Sequence, residues 1–393
     1  MRILFLSFYF PPDLSAGSFR ARALIDSLVS QLPEKATIHV ITTLPNRYAS
    51  HDEFALAHEQ LGALTVDRIS LPSHQSGTFD QARAFVRFYR ESLRLVRGES
   101  YDLVFATSSR LMTAFLGARI SRKMKTPLYL DIRDIFVDTM KDVFPGIKAK
   151  ILLPVLSRVE AFTFRSAKRV NLVSEGFRSY FESRYPNLPY DFFTNGIDEE
   201  FLDRTVSPTG PSENAVIQVL YAGNIGEGQG LHKILPQLAK KCGERYRFTV
   251  VGDGGRKNLL QEALADAGVH SVEILPPVPR KNLHQMYQRA DVLFLHLNDY
   301  DAFAKVLPSK LFEYAATGKP MLAGVGGYAA HFLRTEVANC GVFSPCDVEE
   351  GFDALNGLSF ELNARVAFVE KYSRKKIMDR MAQKLLATIP AAP

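Results

Sequence analysis

Cysteine is scarce and unpatterned: Cys242, Cys340 and Cys346 are the only three in 393 residues, with no metal-ligand spacing and no C-x-x-C pair among them. That excludes a disulfide framework and a cysteine-based metal centre, and predicts reduced thiols in a cytoplasmic protein. No segment reaches the roughly 18 uninterrupted apolar residues of a transmembrane helix, so any membrane contact is peripheral. The apolar start Met1-Arg2-Ile3-Leu4-Phe5-Leu6-Ser7-Phe8 is too short to span a bilayer and lacks the small-residue cleavage site of a signal peptide. It reads as a first β-strand. Short internal repeats and low-complexity tracts are missing too. Neither sign of charge dominates: 48 basic against 42 acidic residues give a net +6, which permits anionic partners without demanding nucleic acid.

What is present is an ordinary globular balance, 46% hydrophobic and 23% charged, over a length sufficient for two domains. Runs rich in Val, Ile, Leu and Phe alternate with stretches of helical period, which argues for βαβ units and a largely parallel sheet. In the first half the expected strands are 2–8, 38–43, 102–106, 127–131 and 169–173, with helices at 17–31, 79–97, 110–124, 150–166 and 175–184. The polar stretch from Thr205 to Asn214, rich in Pro and Gly, reads as a linker. Alternation then resumes, with strands expected at 216–221, 248–251, 272–275, 292–297 and 321–323 and helices at 231–241, 256–267, 281–289 and 309–317. The charged stretch from Ser359 to Leu386 is helical in period and either caps the second domain or crosses back to the first.

An open parallel sheet binds its ligands beyond its strand ends, so the loops there matter most. Gly223-Asn224-Ile225-Gly226-Glu227-Gly228-Gln229-Gly230 places four glycines in eight residues between a strand and a helix. Such a loop lets backbone approach a ligand, and the helix start beyond it offers N–H groups to a phosphate; a plain tight turn is the alternative. Gly252-Asp253-Gly254-Gly255-Arg256-Lys257 repeats the arrangement, but Lys257 at the sixth position breaks the dinucleotide fingerprint G-x-G-x-x-G. In the third loop Pro308 and Ser309 begin a helix in the manner of N1 and N-cap residues, and Glu313 lies one turn below Ser309 on the same face. A carboxylate so placed can accept two ribose hydroxyls while a phosphate sits on the helix end. A capped helix with a solvated Glu is the plainer reading.

Two segments of the first half belong to the same argument. Phe10-Pro11-Pro12-Asp13-Leu14-Ser15-Ala16-Gly17 joins strand one to helix one, where Gly17 would let backbone reach an acceptor or a phosphate. Asp131-Ile132-Arg133-Asp134 sets two carboxylates and a guanidinium at a strand end, unless Arg133 simply pairs with a neighbouring carboxylate. Separately, Arg83, Arg87, Arg90, Arg94 and Arg97 recur at spacings of four and three, so a helix would point them one way and Phe85, Val86, Tyr89, Leu93 and Val96 the other. A basic stripe of this kind suits anionic lipid headgroups, with an ordinary solvated helix face as the alternative.

Taken in order, Phe10-Pro11-Pro12 with Gly17, Arg133-Asp134, Thr194-Asn195-Gly196-Ile197-Asp198, Gly223-Asn224 with Gln229-Gly230-Leu231, Gly252-Asp253-Gly254, and Pro308-Ser309-Lys310 with Glu313 resemble the retaining GT-B glycosyltransferases of family four. The likeness is to the type that builds bacterial O-antigen and capsule, with N-acetyl-L-fucosamine transferases as the suggested subfamily, and it spans nearly the whole chain. It implies an α/β fold of two Rossmann-like domains facing each other across a cleft: residues 1–200 for the acceptor, 201–358 for the nucleotide sugar, and 359–393 as a C-terminal helix.

The resemblance further implies a UDP-sugar donor, no metal and no separate cofactor. The donor-binding residues would be Gly17, Gly223, Asn224, Gly226, Gln229, Gly252, Gly254, Pro308 and Ser309, with the base near Val278 and Pro279 and the ribose on Glu313. The acceptor implied is a lipid-linked glycan precursor, at the inner face of the cell membrane. Retention without a protein nucleophile leaves the protein an electrostatic task, stabilising charge on the departing diphosphate. Asp134, Lys305 and Lys310 are the catalytic candidates.

Two departures stand out. The family's usual Glu eight residues before the ribose-binding Glu is here Lys305, and the Arg and Lys of its first phosphate loop are here Asn224 and Gln229. Lys305 or Lys310 would then supply the missing charge. The rival classes are a nicotinamide-dependent oxidoreductase, a sugar-nucleotide epimerase of the same architecture, and a non-catalytic nucleotide-binding protein.

Overall fold

A computed structural model describes the chain except residues 14, 46–54, 73–77, 109–110, 144–146, 202–214 and 391–393, and except the side chains of 78–81, 141–143 and 147–151. The expected linker, 205–214, therefore lies outside the described residues. The rest forms two compact units, one of residues 1–195 together with 374–393 and one of residues 196–373.

Unit 1 contains β1 (Arg2–Leu6), α1 (Ala16–Val29), β2 (Thr37–Thr43), β3 (His58–Leu61), β4 (Leu64–Ile69), α2 (Thr78–Leu95), β5 (Leu103–Ser108), α3 (Leu111–Met124), β6 (Leu128–Ile132), α4 (Phe136–Val143), α5 (Ile147–Ser166), β7 (Arg169–Leu172), α6 (Arg178–Arg184) and β8 (Tyr190–Asp191). The strands form one sheet in the order β3-β4-β2-β1-β5-β6-β7-β8. All its pairings are parallel except β3 with β4. Ile3, Leu4, Phe5 and Leu6 are each fully buried, so β1 is covered on both faces, which is why its sequence runs apolar without alternation. Each such side chain contributes roughly 1.5–3 kcal/mol relative to exposure.

Unit 2 contains β9 (Ile217–Ala222), α7 (Leu231–Cys242), β10 (Tyr246–Val251), α8 (Lys257–Asp266), β11 (Val272–Leu275), α9 (Arg280–Arg289), β12 (Val292–His296), α10 (Ser309–Ala316), β13 (Met321–Gly324), α11 (Gly327–Glu336), β14 (Cys340–Phe343), α12 (Val348–Asn356) and α13 (Val366–Lys371). Its sheet, β11-β10-β9-β12-β13-β14, is parallel throughout. The core includes Val219, Leu235, Leu238, Phe248, Phe294, Leu322 and Phe343. The last helix, α14 (Arg374–Leu386), belongs to unit 1, where it packs on α1. Its buried residues Ile377, Met378, Met381, Ala382 and Leu385 make one helical stripe, and burying that stripe is what draws the chain back.

Both units are thus Rossmann-like α/β domains with parallel sheets, the expected class. Details differ. The sheets hold eight and six strands rather than five each, because β3 is a polar edge strand (His58-Glu59-Gln60-Leu61), β4 interleaves Asp67 and Arg68 with apolar residues, and β8 and β14 are short. Helices α4, α11 and α12 were also not expected. The terminal stretch is not one element: residues 359–373 stay with unit 2, where Arg365 donates to the carbonyls of Ala315 (3.0 Å), Lys319 (3.0 Å) and Ala338 (2.6 Å), and only from Arg374 onward does the chain return to unit 1.

Candidate functional site

Because every strand of unit 2 runs the same way, the loops after β9, β10, β11 and β12 emerge at one edge of its sheet. Strand order reverses between β9 and β12, the point where a doubly wound sheet opens a crevice for ligands.

The two glycine loops hold each other by backbone. Gly223 N donates to Val251 O (2.9 Å), Ile225 N to Asp253 O (2.9 Å) and Arg256 N to Ile225 O (2.9 Å). A Cβ on Gly252 (φ 155°) would strike the Gly223 carbonyl, and one on Gly254 (φ 158°) would lie 2.5 Å from the Ile225 carbonyl. These two glycines therefore have a structural reason of their own, the crossing of two backbones. Within the first loop, where Gly226 lies, Asn224 Nδ2 donates to Gln229 Oε1 at 2.8 Å, so the amides standing at the family's cation positions satisfy each other.

The same loop is tied to the end of β12. Asn298 donates from N to Gly228 O (2.9 Å) and from Nδ2 to Glu227 O (2.9 Å), and accepts from Lys233 Nζ (2.9 Å). The His296 ring bonds Gln229 O through Nδ1 (2.6 Å) and accepts the Cys346 N–H at Nε2 (3.0 Å). Burial lowers the pKa of this ring to about 4, so it is neutral, with its proton on Nδ1. Glu227 accepts from the Tyr300 hydroxyl (2.6 Å) and Arg256 Nε (2.5 Å), and the Tyr300 bond leads in holding its pKa below the usual carboxylate value.

Glu313 lies one turn into α10 and is 6% exposed. Its Oε2 accepts from Lys310 Nζ (2.9 Å) and from the Tyr287 hydroxyl (3.3 Å), and its Oε1 is 4.0 Å from Arg280 Nη2. Lys310 also donates to the Tyr287 oxygen (3.0 Å), while Arg280 pairs with Asp198 and Glu200. Burial works against the Lys310 charge, but Glu313 overrides it and holds the ammonium above its ordinary pKa; burial, then Glu313, push the Tyr287 hydroxyl well up. Tyr314 anchors the helix to β9, accepting from Ala222 N (2.9 Å) and donating to Ala222 O (3.3 Å).

The start of α10 differs from expectation. Pro308 is the N-cap and Ser309 the first helical residue, with no side-chain cap bond, because a proline offers no acceptor. Val278 and Pro279 lie in the loop after β11, Pro279 as the N-cap of α9, and Lys305 sits in the short 3-10 turn Phe303–Lys305 before α10. A cavity of about 250 Å³ lies beside the C-terminal end of α10, lined by Phe201, His284, Thr317, Lys319 and Val366 among others and sharing Tyr287 with the Glu313 cluster.

Unit 1 resolves the pairing around β6. Asp131 does not serve Arg133; it takes Arg20 in a bidentate pair (Nε and Nη2, both 2.9 Å), Asn171 Nδ2 (2.7 Å) and the Thr107 hydroxyl (3.4 Å). Arg133 instead lies against Gly17, where its Nη1 occupies the space a Cβ would need. Gly17 is therefore glycine for a side chain of its own unit. Asp134 follows Arg133, half-buried. α2 ends at Leu95 rather than at 97, so Arg83, Arg87, Arg90 and Arg94 lie on it and Arg97 in the turn after it; all five are exposed, and Arg87 and Arg94 each lie 3.7 Å from Glu91. Val86, expected on the apolar face, is 47% exposed, whereas Phe88 is fully buried.

Sequence reasoning overlooked Arg20, Arg280 and Tyr287. Arg20 interrupts the buried face Gly17-Ala21-Leu24-Ile25-Leu28 of α1, which signals a buried partner. Arg280 opens α9, where the helix dipole disfavours a cation and so points to acidic neighbours.

Two parallel-sheet Rossmann-like domains carrying these loops define the GT-B fold, and known proteins agree. The "Glycosyl transferase 4-like domain" family model matches residues 21–196, and "Glycosyl transferases group 1" matches residues 209–359. The chain belongs to the group 1, family-four-like GT-B glycosyltransferases. The candidate colanic acid biosynthesis glycosyl transferase WcaI of Escherichia coli (strain K12) is 32% identical over 100 residues, 25% of this chain and 24% of that one, so the match spans about a quarter of the relative. Anabaena Alr3699/HepE, solved with UDP and glucose, superposes with a TM-score of 0.69 at 17% identity over 98% of this chain and 100% of that one. WaaG, a glycosyltransferase involved in lipopolysaccharide biosynthesis, gives 0.67 at 15% identity over 99% and 100%. The sucrose-phosphate synthase of Thermosynechococcus elongatus gives 0.74 at 13% identity over 98% and 99%. Among the described residues, no helix is long and apolar enough to cross a membrane.

Proposed function

We propose that this protein is a retaining glycosyltransferase, hexosyl- or N-acetylhexosaminyl-type, that moves a sugar from a UDP-sugar to a lipid-linked glycan precursor of a surface polysaccharide. The observation that carries the reading is Glu313, a buried carboxylate on α10 of unit 2, bonded by Lys310 and Tyr287 with Arg280 4.0 Å away. A carboxylate has roughly four acceptor positions, so a ribose diol can bond beside Lys310 and Tyr287. The UDP bound to HepE and the glycan-building names of WaaG and WcaI support the donor and the pathway class.

In this reading the diphosphate lies along the starts of α7 and α10, whose amides and positive dipole ends suit an anion. Gly223, Gly226, Gly252 and Gly254 keep that edge low, and the base stacks near Val278 and Pro279. We assign Lys305, in the turn that leads into α10, to the departing phosphate, with Asp134 beside the acceptor. The chemistry needs no metal: the acceptor oxygen bonds to the anomeric carbon as the carbon–phosphate oxygen bond breaks, and the leaving phosphate takes the acceptor proton. The basic face of α2 would rest on anionic lipid at the inner face of the membrane.

Calorimetry with uridine, guanosine and adenosine diphosphates, followed by mass spectrometry of UDP-sugar panels with lipid-linked acceptors, tests the reading. Binding of UDP with transfer of its sugar is expected. Binding without transfer or hydrolysis would favour a non-catalytic nucleotide-binding protein, for which the Asn224–Gln229 bond is the specific observation. No binding of any nucleoside diphosphate overturns both.

A further inference from the structure

Beside the start of α1 stands a buried cation whose side chain is incompletely bonded, Arg133. Asp131, Arg20, Asp134 and Arg374 are charged neighbours of its guanidinium. Arg20 and Asp131 are closed on each other, and Asp131 has Asn171 and Thr107 as further donors, so that carboxylate has nothing left to orient Arg133. Arg133 Nε is buried with no hydrogen-bond partner, and its Nη1 lies against Gly17 in the first turn of α1. Burial, the leading cause, lowers its pKa to about 10, which leaves it charged at neutral pH.

The position is suited to a ligand. Arg133 follows β6, and its backbone N–H reaches Ser108 Oγ (3.2 Å) at the end of β5, so it stands at the C-terminal edge of the parallel sheet. Strand order in this sheet reverses between β1 and β5, and the start of α1 brings the positive end of a helix dipole.

We propose that Arg133, laid on Gly17 at the start of α1, is the oxyanion-binding cation of unit 1, taking a phosphoryl or carboxylate group of a substrate. For the phosphoryl arm this deepens the proposed transferase reading, because Asn224 and Gln229, bonded to each other, bring no positive charge to the first phosphate loop of unit 2. A planar guanidinium can grip such a group through two parallel bonds.

Calorimetry on the full chain compares the wild-type protein, R133Q, R133K and G17A against inorganic pyrophosphate, UDP, UDP-glucose and UDP-glucuronate, with melting curves for each. If the anion is a phosphoryl group, R133Q weakens pyrophosphate and UDP at least tenfold. If it is a carboxylate on the sugar, UDP is unchanged while UDP-glucuronate loses at least tenfold relative to UDP-glucose. R133K falls between, and G17A, which displaces the guanidinium without removing it, weakens the same ligand and serves where R133Q does not fold. Folded R133Q and G17A that bind all four ligands within twofold of wild type overturn the inference. Pyrophosphate binding tests Arg133 even if no sugar nucleotide binds, whereas sugar transfer unaltered by R133Q would remove this inference and leave the transferase reading standing.

Discussion

Each unit buries one carboxylate among cations, and the two are built to opposite ends. Asp131 in unit 1 is 2% exposed and bonded by Arg20, Asn171 and Thr107, all from its own sheet and the helix beside it. Arg20 also donates to the carbonyls of Phe193 and Thr194 (both 2.7 Å), so the pair locks α1, β6 and the chain after β8 together. Glu313 in unit 2 is nearly as buried, but its partners are a lysine on its own helix, a tyrosine, and an arginine shared with Asp198 and Glu200. A carboxylate closed off inside a sheet holds the fold. One held by a cation that two other carboxylates share is less closed, and the proposed ribose contact rests on that difference.

The sharpest way to break this contrast is to remove Arg20. Arg20→Met leaves Asp131 buried without its main partner, and losing one member of a buried pair costs roughly 3–5 kcal/mol. Denaturant unfolding should show unit 1 destabilised by that amount, with the transition of unit 2 unmoved. A loss under about 1 kcal/mol would mean that Asp131 is not the fixed point described.

His296 extends the contrast to pH. Its folded pKa, lowered by burial to about 4, lies below the ordinary histidine value, so unfolded chains bind the proton more readily between those limits. Stability from the neutral ring is complete above about pH 6.5 and declines as pH falls to about 4, by up to roughly 3 kcal/mol. His296→Asn, which does not titrate, should flatten this part of the profile for unit 2, while Arg20→Met should leave its shape unchanged. Equal slopes in wild type and His296→Asn would refute the assignment.

Glu313→Gln carries a smaller effect and a different readout. If the ribose binds there, the lost charged acceptor should weaken UDP by roughly 1.5–3 kcal/mol, about 10- to 100-fold. Arg280 retains Asp198 and Glu200, but Lys310 loses its buried counterion, so the melting temperature should fall as well and affinity is read on protein shown to be folded. Unchanged UDP affinity in a folded Glu313→Gln protein would place the nucleotide elsewhere.

How much of this was legible in the sequence follows from where the information resides. Apolar runs such as Ile3–Leu6 announce parallel strands, and the loops beyond them, with Glu313 on its helix, were visible because turn and capping residues are local signals. Strands β3 and β4 were not, since an edge strand needs only one buried face and theirs is interrupted by charge. Nor could the partner of Asp131 be read: Arg20 is 111 residues away, and Arg133, two residues away, was the natural candidate. Glycines misled in one direction. Gly17, Gly252 and Gly254 look like ligand-facing backbone, yet each makes room for an atom of the protein itself, which spacing cannot distinguish from room for a phosphate.

The exposed arginines of α2, with Arg97 in the turn just beyond it, complete the comparison at its weak end. Arg94 is 82% exposed and lies 3.7 Å from Glu91, so solvent screens the pair and Arg94→Gln should change stability by less than about 1 kcal/mol. Affinity for anionic vesicles should respond instead, by roughly 1 kcal/mol for each arginine removed, since a membrane surface sums the charges of a helix face where the folded core ignores them. Sedimentation with phosphatidylserine-containing vesicles, with Arg83, Arg87, Arg90, Arg94 and Arg97 replaced one at a time and then together, separates the two readings of the stripe. A cumulative loss of binding at constant melting temperature assigns these arginines to a lipid surface. Binding that survives all five replacements would leave α2 as a solvated helix whose charges keep the protein in water.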